Sequence, residues 1–143
     1  MSEAGYSGTP LLKKLGIKAG MRGLLAGVPA TIGPLIDFDG WSTVKKVKTR
    51  RGIGGGPYDY IHYFTKDLGA FEQSLAPLRQ ALEQNGMIWI SWPKKSSGVP
   101  ATLSETDVRR GALASGLVDV KVCAVDEIWS GLKLVIPVKD RRA

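Results

Sequence analysis

One cysteine, Cys123, one histidine, His62, and no acidic residue between Gly40 and Pro57 are the scarcities of this 143-residue chain. A lone cysteine excludes an intrachain disulfide and any multi-cysteine zinc site, so no metal is expected. No apolar run approaches the ~18 residues of a membrane span. The first ten residues, MSEAGYSGTP, lack the basic and then apolar regions of a secretory leader. The expectation is a soluble cytoplasmic protein with no membrane partner. What is present is ordinary for a globular domain: 43% hydrophobic and 23% charged residues, with 20 Lys plus Arg against 13 Asp plus Glu, a formal charge of +7. A chain of this length removes roughly two-thirds of its unfolded surface from water on folding, enough for one core and one domain, 1–143.

The positive charge is concentrated. The window Gly40–Pro57, GWSTVKKVKTRRGIGGGP, holds Lys45, Lys46, Lys48, Arg50 and Arg51 and no acid, so five of the seven excess charges sit there. Such a patch attracts phosphates, nucleic acid or acidic partners. Lysines also guard a solvated edge strand against edge-to-edge pairing. No aromatic residue lies between the basic ones to stack on bases. Residues 40–57 as a whole read as a basic, glycine-rich mobile segment.

Thr9-Pro10 ahead of Leu11, Leu12 and Leu15, with Gly16 behind, predicts a short helix. Met21–Val28 reads as a buried strand, residues 30–42 leave room for a turn of helix, and Thr43–Thr49 reads as a basic strand. Tyr58–Phe64, YDYIHYF, is aromatic and β-branched and predicts a strand. From Asp67, the residues Leu68, Phe71, Leu75, Leu78 and Leu82 form one apolar helix face, with a kink or restart at Pro77 and a left-handed stop at Asn85-Gly86. Met87–Trp92 is the next strand. Ser104 with Asp107 resembles a capping box that opens a helix closed by Gly116. Leu117–Val125 and Leu132–Val138 read as an antiparallel hairpin. Strand-helix-strand alternation implies right-handed crossovers and an α/β fold: a Rossmann-like three-layer sandwich, mostly parallel, with a C-terminal antiparallel hairpin.

Asp59 in YDYIHYF, the stretch LRQALEQNGMIWISW and the final WSGLKLVI resemble the fourth-strand, fifth-strand and last-strand segments of class I S-adenosylmethionine-dependent methyltransferases. GYSGTPLLKKLGIKAGM, SWPKKSSGVPATLSETDVR and GLVDVKVCAVDEIWSGLKLVI resemble a family of short bacterial proteins of unknown function. The methyltransferase resemblance implies a glycine-rich E/DxGxGxG loop after the first strand and an acid after the second. Here the corresponding segments read LLAGVPATIG, with Gly27 alone and Pro29 where an amide is wanted, and Arg50-Arg51. S-adenosylmethionine is thereby the disfavoured cofactor.

In an open α/β sheet, ligands bind beyond the carboxyl ends of the parallel strands. That edge is expected to gather Gly27, Trp92, Lys94, Lys95, Ser96, Asp126, Glu127 and Trp129 as a ligand site, or else as two tryptophan caps with charges paired across two loops. Lys45, Lys46, Lys48, Arg50 and Arg51 form the candidate anion site. His62, flanked by tyrosines with no nucleophile at a diagnostic spacing, reads as a packed strand histidine, and Cys123 as a buried thiol. Three functions follow: binding of an anionic small molecule or a protein partner at the carboxyl edge, methyl transfer with an atypical cofactor loop, or a nucleic-acid-binding or regulatory module built on residues 45–51.

Overall fold

Residues 11–142 are described by a computed structural model. Thr9 and Pro10 of the first expected helix lie outside them; residues 11–15 are helical and stop at Gly16, whose φ is +79°. Then follow β1 (Arg22–Ala26), α1 (Gly33–Asp37), β2 (Thr43–Val47), β3 (Tyr58–Phe64), α2 (Leu68–Ala81), β4 (Leu82–Pro93), α3 (Glu105–Ala114), β5 (Val118–Ala124) and β6 (Trp129–Val135). The six strands form one sheet in the order β2-β1-β3-β4-β6-β5. β2, β1, β3 and β4 are mutually parallel, and β6 runs antiparallel between β4 and β5. This is a methyltransferase-like Rossmann fold with a mixed six-stranded sheet.

The central strands read as continuous apolar runs because both faces are covered. On one face α2 and α3 bury Phe71, Leu78, Val108 and Ala112 against Leu24, Ile61, Ile88, Ile90 and Trp92. The two helices approach closely at Gly111, where a Cβ would lie 2.7 Å from the Phe71 ring. On the other face helical residues 11–15 and α1 bury Leu11, Leu15 and Leu35 against Leu25, Tyr60, Phe64, Trp89 and Trp129. Asp67 caps α2 by accepting from the Ala70 amide at 2.7 Å. α2 continues through Pro77, and Gln73, whose carbonyl loses its amide partner there, is exposed to water.

Two local expectations change. The stop expected at Asn85-Gly86 is absent: α2 ends at Ala81, Leu82 is already extended, and β4 begins there, five residues before the expected Met87. Leu82 pairs with Tyr58 and Met87 with Tyr60, so residues 83–86 bulge opposite Asp59 alone. Gly86 keeps a negative φ; it is glycine because a Cβ would stand 2.9 Å from the Tyr58 carbonyl oxygen. The bulge brings Glu83 to Arg22 at 3.5 Å, and Arg22 also holds Asp59 at 2.9 Å. The Arg22 guanidinium lowers the Asp59 pKa, and its own is raised in turn. The β2–β3 connection needs no helix: Arg50–Gly52 make one 3₁₀ turn and the glycine loop completes the crossing. Within the expected basic segment 40–57, Thr43–Val47 is thus a strand paired along its length to β1.

Candidate functional site

The carboxyl ends of β1, β3 and β4 and the β5–β6 turn share one edge of the sheet. β4 leaves it at Pro93, paired with Trp129, and the Lys94 amide donates to the Ile128 carbonyl at 2.7 Å. Lys95–Ser97 form a 3₁₀ turn, closed by Gly98 with φ +76° and by the Ser97 hydroxyl donating to the Lys94 carbonyl at 2.6 Å. The chain then crosses the end of β3. The Thr102 amide donates to the Lys66 carbonyl at 2.8 Å and its hydroxyl accepts from the Leu68 amide at 2.9 Å. α3 starts with the expected capping box, Ser104 and Asp107 satisfying each other's backbone amides.

Between these pieces lies an open cleft of about 520 Å³, within the 300–1,000 Å³ typical of small-molecule sites. Trp92, Lys94, Lys95, Thr102, Thr106 and Ser130 line it, together with the first turn of α3. Both carboxylates of that turn are engaged. Glu105 pairs with Arg109 at 2.5 Å, and Asp107 accepts from Ser104 and pairs with Arg110 at 3.6 Å. Arg109 also pairs with Asp119, and these contacts raise its pKa. Lys94 and Lys95 make no ion pair among the described residues.

The structure divides the rest of the expected ligand set. Trp92 and Trp129 are both buried but on opposite faces: Trp92 packs under α3, and Trp129 meets Phe64 edge-on at 5.3 Å in the other cluster. Asp126 is occupied locally, accepting from the Ile128 and Trp129 amides at 2.8 and 2.7 Å. Glu127 and Ser96 are exposed and neither lines the cleft. No ion pair joins Lys94 or Lys95 to Asp126 or Glu127. Gly27 stands two strands away at the end of β1, with φ +70° and its Cβ position 2.8 Å from the Phe64 carbonyl oxygen.

The end of β1 is where the methyltransferase resemblance locates its cofactor loop, and the residues present do not fit S-adenosylmethionine. The Gly27 amide is spent on the Val47 carbonyl at 2.9 Å, and Pro29 has no amide. The cavity there, lined by Leu25, Val28, Ile36, Lys46 and Val47, has only about 130 Å³, below the range of nucleotide-sized sites. Beyond β2 the chain presents Arg50 and Arg51 where a ribose-binding acid would stand.

His62 is wholly buried, its Nδ1 2.8 Å from the Tyr60 hydroxyl and its Nε2 2.7 Å from the Ser91 hydroxyl. Burial drives its pKa down to about 3, so the imidazole is neutral, and the same burial raises Tyr60 well above the ordinary phenol value. This group has no path to a substrate and serves the interior. Ser91, set among the apolar residues of MIWISW, was the overlooked signal, since a polar side chain inside a buried strand needs a partner. Cys123 is half-buried and its thiol pKa is raised by burial, despite the opposing charges of Lys14 and Lys121. Among the described residues no three His, Cys, Asp or Glu side chains converge on a metal position, and no helix is long and apolar enough to cross a membrane.

Comparison with known proteins agrees with the fold and leaves the ligand open. A S-adenosylmethionine-dependent methyltransferase from Aquifex aeolicus superposes with a TM-score of 0.63 at 16% identity, over 90% of this chain and 89% of that one. A TehB-like methyltransferase from Corynebacterium glutamicum gives 0.64 at 14% identity, over 91% and 87%. The magnesium protoporphyrin IX methyltransferase of Synechocystis, solved with bound S-adenosylhomocysteine, gives 0.59 at 14%, over 94% and 83%. At such identities the likeness is one of fold. No curated protein sequence matches the chain. Residues 60–138 match the model of a family described as "Protein of unknown function (DUF3052)".

Proposed function

Since the chain belongs to the DUF3052 family through residues 60–138, a segment that contains every residue of the 520 Å³ cleft, we propose that it binds a small anionic molecule there without S-adenosylmethionine chemistry. One observation carries this reading. The two carboxylates on the cleft wall are held by arginines and a capping serine, while Lys94 and Lys95 make no ion pair among the described residues. Ammonium groups on a concave wall, with the Thr102, Thr106 and Ser130 hydroxyls beside them, match a phosphate or carboxylate ligand. The apolar body of such a ligand would rest on the Trp92 side of the cleft.

The test is titration calorimetry with phosphate monoesters and dicarboxylates, run in parallel with S-adenosylmethionine and S-adenosylhomocysteine. The expected result is micromolar binding of one anion class, weakened at least tenfold in Lys94→Ala/Lys95→Ala, with neither sulfur cofactor bound. Micromolar binding of either sulfur compound would overturn the reading in favour of methyl transfer.

A further inference from the structure

We infer that the β2 edge of the sheet is a second, independent binding surface, for the phosphodiester backbone of a single-stranded polynucleotide. β2 is an edge strand, and the cations along it are distributed by its pleat. Lys45 pairs in register with Leu24, whose side chain belongs to the face under α2 and α3; Lys46 pairs with Leu25, which belongs to the opposite face. Lys48 follows the strand. Gly52 then folds the 3₁₀ turn back so tightly that a Cβ there would lie 2.5 Å from Val47, which sets Arg50 and Arg51 at the strand's end.

The result is a ridge roughly 16 Å long, at ~3.3 Å per residue, with positive charge on both flanks and at its tip. Lys45, Lys46, Lys48 and Arg51 are exposed, and none of the five cations makes an ion pair among the described residues. Lys46 donates only to the Ile36 carbonyl, at 3.3 Å, which leaves its charge uncompensated. Arg50 is half-buried and its charge acts on the Tyr63 phenol.

Shape selects the partner. A bilayer surface can be reached by one flank of a ridge but not by both. A protein interface wants an apolar centre, and the one large apolar side chain exposed on this strand is Val44, at 38%. Guarding the edge against strand pairing accounts for the lysines within β2 but not for Arg50 and Arg51, which lie past the strand on a turn that has no edge to guard. A flexible backbone with a charge at every nucleotide can wrap a narrow ridge and meet both flanks. With no aromatic side chain on the ridge, binding is indifferent to sequence.

The experiment is fluorescence polarisation of labelled 20-mers of single-stranded RNA and DNA, and of duplex DNA, against the full chain between 50 and 200 mM salt. Both single strands should bind in the micromolar range at 50 mM, and the duplex more weakly. Four phosphate contacts give a log–log salt slope near −3 for single strands, about a fiftyfold loss over that range. Lys45→Gln/Lys46→Gln/Lys48→Gln/Arg51→Gln should abolish binding with an unchanged thermal midpoint, and each single change should reduce the slope by about 0.7. Lys94→Gln/Lys95→Gln should bind polynucleotide as the parent does, which separates this surface from the cleft. Absence of binding at 50 mM, undiminished binding by the quadruple variant, equal loss in the Lys94/Lys95 variant, or preferential capture by phosphatidylserine vesicles would each overturn the inference.

Discussion

His62 and Ser91 meet diagonally on one face of two adjacent parallel strands, where His62 pairs in register with Trp89 and Ser91 with Phe64; imidazole Nε2 to hydroxyl oxygen is 2.7 Å, and the Tyr60 hydroxyl closes the other ring nitrogen at 2.8 Å. All three side chains are sealed between the sheet and the helices of one face. Two tests follow from this pairing.

The first concerns pH. The imidazole titrates near 6.5 when the chain is unfolded and near 3 when folded, because burial disfavours the cation. Between these values the unfolded state binds the extra proton, so stability is fully present above about 6.5 and is lost as pH falls toward 3. Denaturant titrations should show a slope from this group of up to ~1.4 kcal/mol per pH unit. His62→Gln should be flatter than the parent across pH 6 to 4, and parallel curves would contradict the assignment.

Ser91→Ala removes a small hydroxyl and strands a buried ring nitrogen. The cost should be about 1–3 kcal/mol, the penalty of an unsatisfied buried polar atom. His62→Phe/Ser91→Ala, which removes both ends of that bond, should lose less than the sum of the single changes. Additivity in the urea midpoints would show the bond to be absent.

Gly86→Ala and Gly27→Ala should both destabilise, for different reasons. At Gly86 the new methyl meets the Tyr58 and Asp59 carbonyls at 2.9 and 3.0 Å; at Gly27 it meets the Phe64 carbonyl at 2.8 Å on a backbone whose φ is +70°. Gly27→Ala carries both the contact and the left-handed strain and should have the lower thermal midpoint. An unchanged midpoint in either variant would refute the close approach.

Ser104→Ala removes the capping hydroxyl of α3 and should cost about 1 kcal/mol. It also releases one contact to Asp107 on the cleft wall. Calorimetry on this variant should therefore show weaker anion binding than the parent, as a freed carboxylate repels the ligand. Tighter binding would place the anion elsewhere.

Much of the architecture is local and was legible in the residues. The aromatic and β-branched run YDYIHYF, the alternation in LKLVIPV, the three-and-four spacing from Leu68 to Leu78, and the Ser104-x-x-Asp107 cap each specify an element without reference to the rest of the chain. The acid-free basic window and the missing cofactor glycines are facts of composition, and the structure places the first on an edge strand and the second against the crowded end of β1. The helix stop misread at Asn85-Gly86 shows the limit of local reading. A glycine that follows a helical pattern suggests a left-handed cap, and only the packing of β4 against β3 reveals a close backbone approach instead.

The candidate site was half legible for a similar reason. Sequence alone determined that Lys94 and Lys95 follow a strand that holds Trp92, and it expected the hairpin turn over residues 126–131, where the structure instead starts β6 at Trp129. Tertiary structure decided that β6 enters between β4 and β5 with Trp92 opposite Ser130, so that Trp129, one residue away, points to the other face. In a sheet the register assigns each side chain its face, and register is set by pairing between distant segments. The same parity brings His62 to Ser91 and separates Lys45 from Lys46.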